Sequence, residues 1–533
     1  MRVSRLVAYG LFALATVIVV AMYARRLHDS PIYLAHDEVV FAVNAQSIAS
    51  TGRDANGNWF PLYIHIGGNF WATPVNIYFS AGLFRFLPIS EATIRLPSVI
   101  VGLLVVVLTY VVAERIFKSE WIAAVAAGLL ALTPALFIHS RMGTDHLYPL
   151  PFILVWLCCL LAYLDGGDLR VLFAAVIFLG LGAYTYVGSL VTMPVYVVLT
   201  WITIALSGRK SLRPYAIALL GFTLPVVPLV AWFLTHPAQY AGHIAMYNLY
   251  DSASLTPLQG VRGLMSHSSL AARWNVYYGY FNPSFLFFAG DPSLINSTRY
   301  AGVFLLPIAV LLPAGAYYIV RSRPRAVSAP LLLGFLFSPL AGVVVGEPHR
   351  VNRALVMLPF AILLAAGGVE YLVAARASAL RAAAVVMLCA APVQFSSFYR
   401  DYMSAYRIRS AYWFEGNIRG AIDEIIDRDN DAATRTRSGE ALTERTVYLS
   451  TTVPWIEWYW RLYLIKHARE DLLKRTVYFD PKQVNPLAMP ERSLVLADVH
   501  DIPEPSLRNA GSSVRVTLVS GSNQDVEFVV LER

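Results

Sequence analysis

Eleven apolar runs, most about 18 to 22 residues long, leave this chain few ways to fold. They fall at roughly 6–24, 97–117, 121–139, 148–164, 170–187, 190–207, 214–234, 300–320, 328–345, 351–373 and 380–396. A run of about 20 apolar residues matches the hydrocarbon thickness of a bilayer. Inside that layer only helices and closed barrels satisfy their own backbone polar groups. The runs show none of the alternation a barrel strand needs, so a polytopic α-helical membrane protein is expected. The 533-residue chain is 57% hydrophobic and 14% charged, well below the about 25% charge of a soluble domain. The net charge of +8 points to cytoplasmic loops rich in Lys and Arg, with no need of nucleic acid as a partner. Cys158, Cys159 and Cys389 all lie within apolar runs and read as small buried hydrophobes. The first run is longer than the apolar part of a typical signal peptide, and Tyr23-Ala-Arg-Arg26 is a poor cleavage site, so it reads as an uncleaved helix.

The segment 74–88 decides the topology. It is about fifteen residues long and contains Asn76 and Arg85, which suits an interfacial helix better than a span. If it does not cross, Arg2, Arg5, Arg115, Lys118, Arg170, Arg209, Lys210, Arg213, Arg321, Arg323, Arg325, Arg376 and Arg381 all face the cytoplasm, as the positive-inside rule demands. If it crosses, every later loop inverts. The expected arrangement therefore has a cytoplasmic N-terminus. Outer loop 1 (about 25–96), the connection 140–147, a large outer loop (about 235–299), the turn 346–350 and everything beyond about 397 then face outside.

Two domains are expected, a transmembrane module over 1–396 and a soluble, extracytoplasmic α/β domain over 397–533. In the latter, Thr446-Val-Tyr-Leu-Ser450, Thr476-Val-Tyr-Phe479, Ser493-Leu-Val-Leu-Ala497, Val514-Arg-Val-Thr-Leu518 and Val526-Glu-Phe-Val-Val-Leu531 read as strands. Helical stretches lie between them at about 416–428 and 455–473, and the polar stretch 430–440 reads as a linker.

The outward loops collect groups that can do chemistry. Asp37 and Glu38 follow the first span in His36-Asp37-Glu38. As an isolated pair they fit a helix cap as well as a catalytic site. Arg141-Met-Gly-Thr-Asp145-His146 supplies a second acid. Two carboxylates in a partly buried cleft can differ in pKa or share a cation, and either suits general-base work. Asp37, Asp145 and His146 could hold a divalent metal, although the spacing matches no metal motif. Arginines are unexpected on this face, yet Arg141, Arg299 and the run Glu347-Pro-His349-Arg350-Val-Asn-Arg353 occur there. Arg350 and Arg353 share a helix face, and guanidinium forks suit a phosphate. Ion pairing with Glu347 is the plainer alternative. Tyr278, Asn282 and Asp291 punctuate an aromatic stretch of the large loop. Asn69, Trp71, Asn76 and Tyr78 do the same in loop 1. Aromatic faces of this kind can stack on sugars or guide a prenyl chain, and an interfacial aromatic belt explains part of the pattern.

Taken together, His36-Asp37-Glu38, Arg141-Met-Gly-Thr-Asp145, Asn282-Pro-Ser-Phe-Leu-Phe-Phe-Ala-Gly-Asp291, Asn296-Ser-Thr-Arg299-Tyr-Ala-Gly302 and Glu347-Pro-His349-Arg350-Val-Asn-Arg353 resemble the GT-C glycosyltransferases of family 39. That group includes the protein O-mannosyltransferases and the bacterial aminoarabinose transferases. The resemblance spans about residues 1–375. Gly67-Gly-Asn69-Phe-Trp-Ala-Thr-Pro74 lacks the Glu-Lys-Pro of aminoarabinose transferases, and no MIR domain follows. The resemblance implies a GT-C fold and a polyprenyl (undecaprenyl) phosphate sugar donor, with a glycan, lipid or protein as acceptor, at the outer face of the cytoplasmic (inner) membrane. It implies Asp37 as catalytic base, with Glu38 and Asp145 orienting the base or acceptor. Arg350, Arg353 and Arg141, with Arg299 and His349 beside them, would hold the donor phosphate. Two alternatives stand. A lipid-linked glycan transporter would show mid-membrane charge and repeat symmetry, which these runs lack. A ligase or polymerase using a pyrophosphate-linked donor is not separated by sequence.

Overall fold

The computed structural model describes residues 2–68, 70–252, 254–437, 445–508 and 514–533, with backbone alone for 2–12 and 432–437. Asn69 therefore lies outside the described residues. The chain forms two compact units. One comprises Met1–Arg25, Asn56–Phe79 and Arg95–Asp401; the other comprises Arg26–Ala55, Ser80–Ile94 and Tyr402–Arg533.

The first unit is a helical bundle. Among the described residues, seven helices of the chain are long and apolar enough to cross a membrane: Glu91–Phe117, Pro149–Gly166, Ser189–Leu206, Arg213–Thr235, Arg325–Val345, Met357–Ala374 and Ser378–Met403. Ala13–Ala24, Glu120–Ala131, Leu169–Gly182 and Leu306–Ser322 are shorter apolar helices lying where the sequence places its other four runs. This is a multi-pass membrane protein. Met357–Ala374 is the central helix, with 78% of its apolar window buried, against 17% for Arg213–Thr235 and Ser378–Met403. It crosses Leu306–Ser322 with backbones in contact. A Cβ on Gly315 would stand 1.7 Å from the Leu364 carbonyl oxygen, and one on Gly368 would stand 2.1 Å from that of Leu311. Lipid offers helices no hydrophobic reason to associate, so close packing of small residues supplies the attraction.

The helix Pro74–Phe84 has 11 residues. At 1.5 Å per residue it is about 16 Å long, roughly half a bilayer. Just before it, β1 (Ile64–Gly67) and β2 (Phe70–Ala72) form a short antiparallel hairpin. The large loop is more ordered than its composition suggests, with helices at Pro237–Met246, Pro257–Leu264 and His267–Gly279.

The second unit contains a five-stranded sheet. Its strands are β3 (Thr446–Ser450), β4 (Thr476–Phe479), β5 (Ser493–Asp498), β6 (Arg515–Ser520) and β7 (Val526–Glu532), in the order β4-β3-β5-β7-β6. The β3 strand is parallel to both β4 and β5, while β7 runs antiparallel to β5 and β6. The parallel β3–β4 pair needs a crossover, and the helix Ile456–His467 lies in it. One face is packed with Val495, Ala497, Val529, Leu531, Phe479 and Ile502. The strand runs of the sequence agree with these strands to within a residue or two. The linker reading does not hold for residues 430–437. The helix Ile418–Arg437 takes up these residues and is anchored upstream by Ile422, Ile425 and Ile426, all buried. Residues 438–440 lie outside the described residues. Segments 26–55 and 80–94, far away in sequence, join this unit.

Candidate active site

In the sheet-containing unit, the helix His36–Thr51 starts from Ala35, whose backbone is extended. The Ala35 N–H donates to the Glu38 carboxylate at 2.9 Å, and Glu38 is fully buried. This is half of a capping box, with the acid three residues into the helix reaching back to an orphan donor. Asp37 is different, because its side chain is 39% exposed. It stands in the first turn, where the helix dipole favours an anion.

His36 connects this turn to the rest of the unit. Its Nδ1 lies 2.8 Å from Glu415 Oε1, and its Nε2 lies 3.5 Å from Asp37 Oδ1. Its ring stacks on Trp455, with centroids 4.8 Å apart and planes 4° apart. Glu415 and Trp455 both adopt left-handed backbone, at φ 61° and 54°, a conformation that costs an L-residue about 1–2 kcal/mol. Tyr459 adds a hydroxyl that donates to the Leu34 carbonyl at 2.6 Å. Burial pushes the His36 imidazolium down. The hydrogen bond to Glu415 and the charges of Asp37 and Glu415 outweigh burial, so its pKa ends above the ordinary value.

The other unit builds a separate cluster. Asp145 Oδ2 accepts from the Thr73 hydroxyl at 2.8 Å. Asn76, buried, donates to the Gly143 carbonyl at 3.1 Å. His146 lies between Thr144 Oγ1 (3.1 Å) and Asn352 Nδ2 (3.4 Å), with the Tyr186 ring 5.3 Å away. Burial, then the charges of His139 and Arg353, push its imidazole well below the ordinary value, so it is neutral at physiological pH. Arg353 Nε donates to Glu347 at 2.8 Å, and Nη1 donates to the Tyr186 hydroxyl. Its guanidinium lies 4.9 Å from the Tyr247 ring and 5.7 Å from that of Tyr186.

Arg353 also lines a cavity of about 610 Å³. The other walls are almost wholly apolar, among them Val187, Val191, Val230, Phe233, Ile244 and Val344. Tyr186, Tyr247 and the helix Pro237–Met246 complete this environment and were not singled out by sequence. Nothing local in the sequence distinguishes them from other loop aromatics.

Several expected ligand-binding residues have partners inside the fold. Arg141 is fully buried, and its two terminal nitrogens donate to the Tyr23 and Arg25 carbonyls at 2.6 and 2.8 Å. Those carbonyls end the first helix and lack intrahelical partners, so Arg141 caps a helix end. Asp291 is likewise fully buried. It accepts from the backbone N–H groups of Ser293 and Val351, both at 2.8 Å, and from Asn296 at 3.2 Å, with Arg350 at 3.6 Å. It ties the loop to the Val351 N–H. Arg350 is 41% exposed, and Arg299 is exposed. His349 packs edge-on against Phe285. Asn282 accepts from the Ser284 N–H in a local turn. Tyr278 is exposed and stacks on Trp274. Tyr78 donates to the Pro61 carbonyl at 2.9 Å, and Trp71 packs on His65. Among the described residues no three of His, Cys, Asp or Glu gather as metal ligands, so the metal alternative for Asp37, Asp145 and His146 gains no support from the fold.

Residues 72–232 match the family model described as dolichyl-phosphate-mannose-protein mannosyltransferase. In structure the chain is similar to ArnT from Cupriavidus metallidurans. The apo crystal structure aligns with a TM-score of 0.53 at 15% identity, covering 98% of each chain. The structure of the same protein bound to undecaprenyl phosphate aligns at 0.54 and 14%, again covering 98% of each. No curated protein sequence matches. At such identity the likeness is one of fold, and it extends over nearly the whole chain. The fold is therefore of the GT-C type and includes the C-terminal sheet.

Proposed function

We propose that this chain is an inverting glycosyltransferase that moves a sugar from a polyprenyl-phosphate donor to an acceptor hydroxyl. The observation that carries this reading is the cavity with Arg353 in its wall. An apolar space of about 610 Å³ with a largely buried arginine in its wall complements an amphiphile with an apolar chain and an anionic head. A polyprenyl phosphate has that chemistry, and undecaprenyl phosphate is what the crystallised ArnT binds. A monophosphate suits the site better than a pyrophosphate, since Arg353 is the one Lys or Arg among the lining residues.

In the reaction, Asp37 takes the proton of the acceptor hydroxyl. The oxygen forms a bond to C1 of the sugar on the face opposite the phosphate. The bond from C1 to the phosphate oxygen breaks, and the lipid phosphate leaves as an anion. Arg353 stabilises the charge that grows on that oxygen. Asp37 is preferred to Glu38 because Glu38 is buried and holds the Ala35 N–H. Asp145, tied to Thr73, orients groups and is not the base. By the positive-inside argument, loops 25–96, 140–147 and 235–299 and the C-terminal domain face the exterior of the cytoplasmic membrane.

The test is transfer from a labelled polyprenyl-phosphate sugar in membranes carrying Asp37→Asn or Glu38→Gln. Loss of the base costs on the order of 10²–10⁴-fold in rate, so Asp37→Asn should be nearly inactive. Near wild-type transfer by that variant would remove Asp37 from the mechanism. Loss in Glu38→Gln alone would exchange the two roles.

A further inference from the structure

His36 and Asp37 are neighbours in sequence, and their side chains also meet, with His36 Nε2 3.5 Å from Asp37 Oδ1. Adjacent residues of a helix do not normally face each other. The imidazole is turned to its position from outside the helix. Its Nδ1 lies 2.8 Å from Glu415 Oε1, and its ring lies on that of Trp455 with the planes 4° apart. The proposed transfer leaves His36, Glu415 and Trp455 without a role.

Glu415 is itself fastened to the sheet. Its turn passes through Gly416, at φ 72°, to Asn417. The Asn417 N–H donates to Glu527 on β7 at 2.6 Å, and its side-chain amide donates to the Ser520 carbonyl on β6 at 2.9 Å. The approach is so close that a Cβ on Gly416 would stand 2.6 Å from Glu527 Oε2. On the other side of the ring, the Tyr459 hydroxyl donates to the Leu34 carbonyl, two residues before His36. Glu415 and Trp455 both keep a left-handed backbone, a conformation that persists where the surrounding fold over-determines it. A continuous line of contacts therefore runs from the sheet through Glu415 and the imidazole to the Asp37 carboxylate.

The charges around the ring have one sign. Asp37 and Glu415 face its two nitrogens. Glu38 shares the turn and holds the Ala35 N–H. Tyr459 is neutral, because burial and then the charge of Glu415 raise its hydroxyl well above the ordinary value. An imidazolium in this setting donates one N–H to each facing carboxylate. The contact at Asp37 is long, as catalytic contacts often are before substrate arrives. A carboxylate engaged through Oδ1 can take the acceptor proton on Oδ2. A base oriented by a third group is a recurrent catalytic arrangement.

We infer that Glu415 is a positioning residue for the transfer reaction, acting through His36 to fix the orientation of the Asp37 carboxylate. This rests on the reading of Asp37 as the base, and it gives the C-terminal part of the chain a share in catalysis.

The test uses the full-length chain in membranes of the source cell, which supply the acceptor. Three polyprenyl phosphates are offered, carrying a labelled hexose, pentose or amino sugar, and the sugar that the wild type transfers fastest is followed. Glu415→Gln and His36→Gly should each lower the rate at saturating donor about tenfold to a hundredfold, with the donor KM unchanged. The double variant should be no slower than His36→Gly alone, because a residue acting through another adds nothing once that one is gone. In His36→Gly, added imidazole should restore the rate. Added 1-methylimidazole should not, because only one of its nitrogens is free to bond and it cannot bridge two carboxylates. A clasp that merely fills the slot on Trp455 would respond to both rings alike. Restored activity also shows that the variant folds. Equal effects of the two rings, a double variant slower than His36→Gly, or near wild-type rate in Glu415→Gln overturn the positioning role, and Asp37 stands as the base if Asp37→Asn is inactive in the same assay. Near wild-type transfer by Asp37→Asn, or no transfer by the wild type from any of the three donors, overturns the functional reading and the positioning role with it.

Discussion

Replacing Glu415 tests whether His36, and with it the Asp37 turn, is held by the C-terminal part of the chain. The bond from His36 Nδ1 to Glu415 is 2.8 Å long, and the two side chains are 32% and 22% exposed. Charge-assisted hydrogen bonds contribute about 1.5–3 kcal/mol. Partial exposure puts this one at the lower end, about 1.5 kcal/mol. That corresponds to about tenfold in a local opening equilibrium. In Glu415→Ala, hydrogen exchange at the amides of residues 34–38 should therefore speed up about tenfold. Glu415→Gly should do less harm. Glycine recovers about 1 kcal/mol at φ 61°, leaving a deficit of about 0.5 kcal/mol. The effect has a sign in pH. His36 has a folded pKa raised above its unfolded value. Its contribution is therefore full below the unfolded value of about 6.5 and is lost as pH rises through the folded value. After correction for intrinsic exchange, the Glu415→Ala deficit should be larger at about pH 5.5 than at about pH 9. Equal deficits at both pH values, or no increase in exchange at 34–38, would refute the clasp.

Arg353→Leu should weaken binding of bare polyprenyl phosphate about tenfold to a hundredfold, from loss of a charge-assisted contact of about 1.5–3 kcal/mol. Arg353→Lys should fall between, because an ammonium cannot reproduce the fork shared by Glu347 and Tyr186. Titration of the purified variants checks both. Arg141→Met should behave in the opposite way, lowering thermal stability in detergent by about 1–3 kcal/mol while leaving the donor KM unchanged; a raised KM at full stability would return Arg141 to the phosphate site. Gly315→Leu should destabilise the protein by about 1–3 kcal/mol or more, because its first carbon already collides with the Leu364 carbonyl. Gly128→Ala, whose Cβ meets nothing within 4 Å, should be neutral or gain up to about 1 kcal/mol from helix propensity. Melting curves of the pair check the close helix crossing.

The spans and strands were legible because their signals are local. Hydrocarbon thickness sets the length of an apolar run, and the pleat sets the two-residue alternation of a strand. Each of the seven long apolar helices and all five C-terminal strands can be found from the residues that form them. The segment 74–88 could be judged too short to span by counting. The roles of particular polar residues were not legible, because their partners are remote in sequence. Arg141 and Arg353 look alike as loop arginines. Only packing gives one the Tyr23 carbonyl 118 residues away and the other the Tyr186 hydroxyl 167 residues away. Asp37 and Glu38 are adjacent, and only the fold buries Glu38 against the Ala35 N–H while leaving Asp37 partly exposed. A change in charge and hydropathy marked the start of the C-terminal part. It could not show that Arg26–Ala55 folds into the same unit, because that follows from contacts such as His36 with Glu415, 379 residues apart. Sequence alone marked which stretches are long and apolar enough to enter a membrane and which form the C-terminal strands. Tertiary structure decided which charges are spent on the backbone and which stay available for chemistry, because burial and hydrogen-bond satisfaction depend on what the fold brings alongside each residue.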